Sequence, residues 1–338
     1  MKEITAVGID LAKSVFQIHA VDRREKLVLK KKVSRSRMVT LIRHLPRCRI
    51  YMEACGSAHY WARVCQEEGH EAFLIAGKYV KKFVKNNKDD AIDAEAIVTC
   101  GLRPNTLFVP IKTPRQLELQ ALHRVRSRLV AERTAKINEM RGFLYEHGFV
   151  IPKGIHKART EIGDFLKGDE LSPLLREIIQ DLFTQYLEID KRVTAYESLI
   201  KREMKPLEVF ERLQEVPGVG YLTASAIIID GMPENMKNGR QFAAYLGLVP
   251  RHSGSGGKNT NHGMSKRGDA YIRTLLIHGA RSILRLTPKR KDKLSAWCEA
   301  VKKRQGYNRA AVALANKNAR IIWRILTEKT RFNLDLAA

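Results

Sequence analysis

Four acidic residues crowd into seven positions of a strongly basic chain, in the stretch NKDDAIDAEAI (87–97). Ala and Ile dominate the run and neither Gly nor Pro interrupts it, so it reads as helix. Residues three apart share a helix face, so Asp90 and Asp93 point the same way and their carboxylates repel. A divalent cation bound by both removes that repulsion; Asp89 and Glu95 lie off the stripe. Two further acids end apolar strands. Asp10 closes ITAVGID (4–10) and Glu53 closes CRIYME (48–53). Taken singly, Asp90 and Asp93 would suit any helix N-terminus and Asp10 any turn. Taken together they form a cluster whose members raise one another's pKa unless cations are present. Two ions about 3.5–4 Å apart are the usual clamp for in-line attack at phosphate. The set predicts a Mg²⁺ site, with Mn²⁺ able to replace it, on Asp10, Glu53, Asp90 and Asp93.

A second stretch, PRHSGSGGKNTNHGMSKRGD (250–269), is rich in Gly, Ser, Lys and Arg and has no apolar periodicity. A flexible linker has this composition. A linker does not normally interrupt two apolar helices of a compact domain, so the stretch reads as a loop that forms a site. Lys258, Lys266, Arg267 and, just beyond, Arg273 are its candidate contacts to a phosphate backbone. Upstream, LQEVPGVGYLTASAIIIDG (213–231) has a Pro-Gly-Val-Gly turn between helices. It reads as a helix–hairpin–helix, whose turn amides can hold a phosphate, or as a plain helix–helix turn.

The elements that must position these residues follow from periodicity. ITAVGID, VFQIHAV and KLVLKKKV read as three strands, the last two a hairpin around DRRE. A helix over 36–45, the strand CRIYME, a helix in SAHYWARVCQEEG and the strand EAFLIA follow. Three antiparallel strands and then alternation with helices is the order of an RNase H-like α/β domain, here residues 1–110, closing at the prolines of RPNTLFVPIKTPRQ. Long helices over 115–147 and 172–204, joined by a short irregular stretch, predict an antiparallel coiled-coil arm for oligomerisation, residues 111–206. Residues 207–338 read as a helical C-terminal domain. The fold class is α/β plus all-α.

The formal charge is +25, divided +8, +4 and +13 over those three parts. A basic excess on every part fits a polyanion partner that touches most of the molecule. The 44% apolar and 29% charged content is that of a globular chain. Five cysteines without a CxxC pair argue against a disulfide frame or zinc site. The N-terminus runs straight into a strand, and no apolar run reaches membrane-spanning length. The expected location is cytoplasmic, at the bacterial nucleoid when active. An actin-like kinase would share the sheet order, but it needs a glycine-rich phosphate loop after Asp10, where Leu11-Ala12-Lys13 stands.

GIDLAKSVF, MEACGSAHYWAR, NKDDAIDAEAI and LGLVPRHSGSGGK…SKRGDAYIRTLLIHGAR together resemble the four blocks of transposases of the insertion sequence 110 family, subgroup 1111, over nearly the whole chain. The resemblance implies a RuvC-like domain whose Asp-Glu-Asp-Asp metal tetrad falls on Asp10, Glu53, Asp90 and Asp93. It implies a serine before a glycine that attacks DNA and forms a covalent intermediate. The subgroup reads Ser-Ser-Gly-Gly-Lys where this chain has Ser253-Gly254-Ser255-Gly256-Gly257-Lys258. Counting back from Gly-Gly-Lys selects Ser255, with Ser253 the alternative. Further implied are a non-coding bridge RNA that pairs with donor and target DNA, and dimers that assemble into a tetramer, with no membrane partner. Two other functions use the same residues: a RuvC-like nuclease with water as attacker, and a non-enzymatic basic RNA- or DNA-binding protein.

Overall fold

The computed structural model describes residues 3–84, 90–233, 236–255 and 258–333. The chain forms two compact units, Met1–Arg115 with Asp230–Phe242, and Gln116–Ile229 with Ala243–Ala338. The first is α/β and the second is mostly helical.

In the first unit, β1 (Ala6–Leu11), β2 (Val15–Val21) and β3 (Leu27–Ser34) lead into α1 (Arg35–His44) and β4 (Arg49–Glu53). Then come α2 (Ala58–Glu67), β5 (Glu71–Ile75), α3 (Gly77–Val80), α4 (Asp90–Gly101) and β6 (Phe108–Val109). The strands form one sheet in the order β3-β2-β1-β4-β5-β6. β1 and β4, and β4 and β5, pair parallel; the other pairs are antiparallel. Alternation sorts the side chains. Val7, Ile9, Ile50, Met52 and Leu74 face the core closed by Met38 and Ile42 of α1 and Trp61, Ala62 and Cys65 of α2. Ala6, Tyr51 and Ile75 face the other way, into a core with Ala96, Ile97 and Cys100 of α4. Buried Lys112 is tied on three sides: its Nζ meets Asp230 at 2.9 Å, its carbonyl accepts from Arg63, and its amide donates to His59.

The second unit begins with α5 (Pro114–Glu146), α6 (Ile155–Lys167) and α7 (Pro173–Met204). Arg126 pairs with Glu197 and Arg133 with Asp190, each at 2.6 Å. Moving forward along α5 moves back along α7, so the two run antiparallel. The stretch between them is helical, contrary to the irregular connection expected. Ala158 and Ile162, one turn apart on α6, are buried with Met140 and Leu144 of α5 and Ile179 and Tyr186 of α7. Gly154 and Gly168 bracket the segment.

Next come α8 (Glu208–Gln214), α9 (Tyr221–Asp230), α10 (Gly239–Tyr245), β7 (Pro250–Ser255) and β8 (Lys258–Met264). The chain ends with α11 (Ala270–Leu286), α12 (Lys293–Gln305) and α13 (Tyr307–Glu328). The Pro-Gly-Val-Gly turn serves helix packing. Gly218, at φ +87°, lies against the backbone of Gly279 on α11, and Asn318 Nδ2 of α13 donates to the Pro217 carbonyl at 2.8 Å. A Cβ on either glycine would strike the other's backbone. Among the described residues, no helix is long and apolar enough to cross a membrane.

Candidate active site

Asp10 and Glu53 stand on neighbouring parallel strands. Ile9 of β1 is in register with Met52 of β4, and the next position on each strand is the acid. By alternation from Gly8 and Tyr51, both acids belong to the sheet face that α4 covers. Gly8 explains why α4 comes so close. A Cβ there would collide with the Ala94 carbonyl oxygen and lie 2.9 Å from the Val98 amide nitrogen, so any side chain would lift the helix off β1. Asp93 directly precedes Ala94 and is half-buried. Asp90 is the first residue of α4; its side chain lies outside the described residues. The arrangement thus brings together the strand pair Asp10/Glu53 and sets Ala94, the residue after Asp93, against Gly8, two positions before Asp10. Among the described residues, no three ligating side chains converge as a metal cluster.

Two residues near this pair were not singled out from the sequence. Gly77 opens α3, and a Cβ there would meet the Glu53 carboxylate, with its Cδ only 2.9 Å away. Glycine therefore leaves room in which that carboxylate sits. Cys55 follows Glu53 on an exposed turn; burial first, and then the charges of Glu53 and Asp10, raise its thiol pKa. Both carboxylates thus act on a single neighbouring group. Hard oxygen donors on adjacent strands, with a cradle free of side-chain bulk, are the donor chemistry Mg²⁺ requires.

In the second unit, residues 250–269 are not the loop expected. β7 and β8 form an antiparallel ribbon with Ser253 opposite Thr260 and Ser255 opposite Lys258. Its described residues 250–254, 260, 262 and 263 are exposed and bury no apolar face, so alternation leaves no hydropathy signal. Ser253 is exposed, and its hydroxyl lies 2.5 Å from His262 Nε2 on the facing strand. Backbone positions are described for Ser255 and Lys258; their side chains lie outside the described residues.

The base of the ribbon is held by backbone contact. A Cβ on Gly247, which takes φ +74°, would lie 2.7 Å from the Arg267 and Gly268 amide nitrogens, and Ser265 N donates to the Val249 carbonyl at 2.8 Å. Lys266 takes φ +54° in this turn, and both it and Arg267 are exposed. Arg273 is different. It is 9% exposed, and its guanidinium donates to the carbonyls of Leu246, Gly268 and Asp269. Expected to contact nucleic acid, Arg273 instead turns inward and locks the two turns together. Its position one helical turn after Asp269, which caps α11 by accepting from Ile272 N, dictates that role.

The chain's relatives agree with one another. A DEDD-type transposase profile matches residues 7–148, and the profile of the transposase IS116/IS110/IS902 family matches residues 210–295. A probable family 20 transposase of Pseudomonas aeruginosa is 43% identical over 97% of this chain and 98% of its own. The transposase for insertion sequence element IS1111A of Coxiella burnetii is 41% identical over 98% of this chain and 92% of its own. The transposase for insertion sequence element IS1328 of Yersinia enterocolitica is 37% identical over 98% and 100%.

Proposed function

This chain belongs to the IS116/IS110/IS902 transposase family and is a DNA recombinase, and we propose that it moves its own insertion sequence by RNA-guided, Mg²⁺-dependent strand exchange through a serine–DNA intermediate. The observation that carries the reading is the pairing of Asp10 and Glu53 in register beneath the start of α4, where Asp90 and Asp93 follow in sequence. The strand order β3-β2-β1-β4-β5, with the first three antiparallel, supports an RNase H-like, RuvC-like unit for this half of the chemistry. Asp10, Glu53, Asp90 and Asp93 would hold the metal. When bound, it supplies positive charge against the phosphate oxygens.

Ser255 supplies the attacking hydroxyl: its Oγ–P bond forms as a deoxyribose oxygen leaves, so the strand break is stored as a phosphodiester to the protein. Spacing from Gly256-Gly257-Lys258 selects it, while the His262 contact keeps Ser253 in contention as an alkoxide precursor. Lys258, Lys266 and Arg267 neutralise the phosphate backbone beside it. The basic excess on every part of the chain suits a large bridge RNA together with donor and target duplexes. The antiparallel α5–α7 pair is the proposed coiled-coil arm. Dimers joined through it and assembled in pairs would bring the needed serines to two duplexes.

A covalent-adduct experiment tests this. Full-length protein, element-end RNA, donor and target DNA and Mg²⁺ are mixed, denatured and resolved on a gel, with Ser255→Ala, Ser253→Ala and an RNA-free sample alongside. The expected result is a DNA-linked protein band that needs RNA and disappears only in Ser255→Ala. Loss in Ser253→Ala alone moves the nucleophile. Cut DNA without any linked band makes water the attacker and the protein a RuvC-like nuclease. DNA bound but never cut leaves a binding protein.

A further inference from the structure

At the base of the serine ribbon, a cavity of about 680 Å³ opens between residues 262–264 of β8 and one stripe of α13. Its volume lies within the ~300–1,000 Å³ typical of ligand clefts. The α13 stripe steps from Arg309 to Val312, Asn316 and Arg320 at three and four residues, with Ala313 and Lys317 alongside, as one helix face requires. The opposite stripe of α13, including Leu314, Ala315 and Ile322, is buried in the core. The cavity face is therefore a second, separately composed surface of the same helix.

Its composition is unusual for this unit. Among the described residues that line it there is no Asp or Glu, yet three of them are cations. One turn further along α13, outside the cavity, Arg324 has its own acid, Glu328, at 2.7 Å. Lys317 extends its ammonium over Trp297, 4.4 Å from the ring centroid, and is half-buried. Burial first, and then the neighbouring Arg320, lowers the pKa of Lys317. Two cations crowded without a counter-charge are relieved by an anion. Beside them, Val249, Met264, Val312 and Ala313 form an apolar wall, and Gln305, Asn308 and Asn316 add amide groups to the lining. A phosphate next to a flat, largely apolar group satisfies both parts, and a nucleotide is that ligand.

We propose that this cavity receives one unpaired nucleotide of the DNA strand being cut, with its phosphate on Arg309, Lys317 and Arg320 and its base against the apolar wall. The proposal rests on the reading of the ribbon as the serine site. Pro250 lines the cavity and begins β7. At ~3.3 Å per residue, Ser253 lies about 10 Å and Ser255 about 17 Å further along that strand. A nucleotide in the cavity is then a few positions from the phosphate under attack. A paired base cannot enter a concave site, so the nucleotide must be unstacked from its duplex. Holding it out would fix the register of the strand at the break.

The experiment uses full-length protein and an element-end duplex with a central unpaired bubble, carrying 2-aminopurine at each bubble position in turn. Fluorescence and affinity are read at several salt concentrations against the fully paired duplex. The expected result is a fluorescence change confined to one or two positions. In K317Q/R320Q, bubble affinity falls at least about tenfold and the salt slope drops by about 2, while duplex affinity changes less than threefold. Val312→Trp fills the cavity without altering charge and abolishes the position-specific signal; melting curves confirm that both variants fold. Equal weakening on bubble and duplex overturns the proposal, as does a signal that survives Val312→Trp. A position-specific signal only with an RNA bubble overturns the assignment to DNA. Wild-type protein that binds no bubble, duplex or RNA overturns the serine-site reading as well.

Discussion

His123 is the residue whose chemistry can be followed furthest from geometry to a measurement. It is 4% exposed, on α5, between Ser225 of α9 and Tyr271 of α11. Its Nε2 lies 3.0 Å from Ser225 Oγ and its Nδ1 2.9 Å from the Tyr271 hydroxyl. Ser225 directs its proton to the Tyr221 carbonyl at 2.7 Å, so Nε2 carries the hydrogen and Nδ1 accepts from Tyr271. A second proton on the ring would face Tyr271 donor to donor. Burial, and secondarily the charge of Arg126, hold the imidazole pKa at about 4 instead of 6.5. The unfolded chain therefore takes up a proton that the folded chain refuses, and stability rises with pH across that window. The contribution is complete above pH 6.5 and lost as pH falls toward 4. At ~1.4 kcal/mol per pK unit, cooling the comparison to pH 7 against pH 5 leaves about 2 kcal/mol. For a unit of this size that is about 4–8 °C in melting temperature. Thermal melts at pH 7, 6 and 5 should show this extra loss in wild type relative to His123→Gln, whose amide keeps a donor and an acceptor but does not titrate. The other histidines are common to both proteins. Equal losses in the two would refute the buried neutral imidazole.

Three further outcomes follow from the two units. Gly8→Ala should destabilise the protein by about 1–3 kcal/mol, because the obstructing atoms belong to the α4 backbone and cannot swing aside; chemical denaturation measures it, and an unchanged midpoint would contradict the close approach. On the proposed metal role of Glu53, Glu53→Gln should lower DNA cleavage at least ~100-fold while DNA binding by gel shift stays within about threefold, since the loss of a ligand costs no less than the loss of a group supporting one. Arg273→Lys should lower the melting temperature and cleavage together, because the three carbonyls converge on Nη1, which the lysine stem, one atom shorter, does not reach, and each one left unpaired costs about 1–3 kcal/mol; a variant with wild-type stability but weakened DNA affinity would return Arg273 to the nucleic-acid surface.

The α/β half was legible because its signals are local. β2 spans Val15–Val21, the alternating run VFQIHAV; β4 ends where CRIYME does, and β5 ends one residue before EAFLIA does. Strand ends mark acids, and parallel pairing then sets Asp10 beside Glu53 without any further information. What the sequence did not disclose is the means of approach. Gly8 and Gly77 look like ordinary glycines until a helix backbone and a carboxylate are found where their side chains would be. The two-residue β6 and single-turn α3 are likewise too short to carry a period.

The serine region shows the complementary failure, and for one physical cause. Periodicity detects structure only where burial sorts residues by polarity. The described residues of β7 and β8 bury no face of their own, so a regular ribbon looked like a loop. The same absence of sorting hid the two kinds of cation around it. Arg267 and Arg273 are alike in sequence, six residues apart, yet one is exposed and the other is closed over by three carbonyls. A count of positive charge cannot separate them, because an arginine that fixes a turn and an arginine that meets a phosphate satisfy the same donors with the same oxygens. Separation needs the carbonyls themselves. Where they converge, as at Leu246, Gly268 and Asp269, the charge is structural. Where the described lining holds no acid, as around Arg309 and Arg320, an external anion is the partner proposed for it.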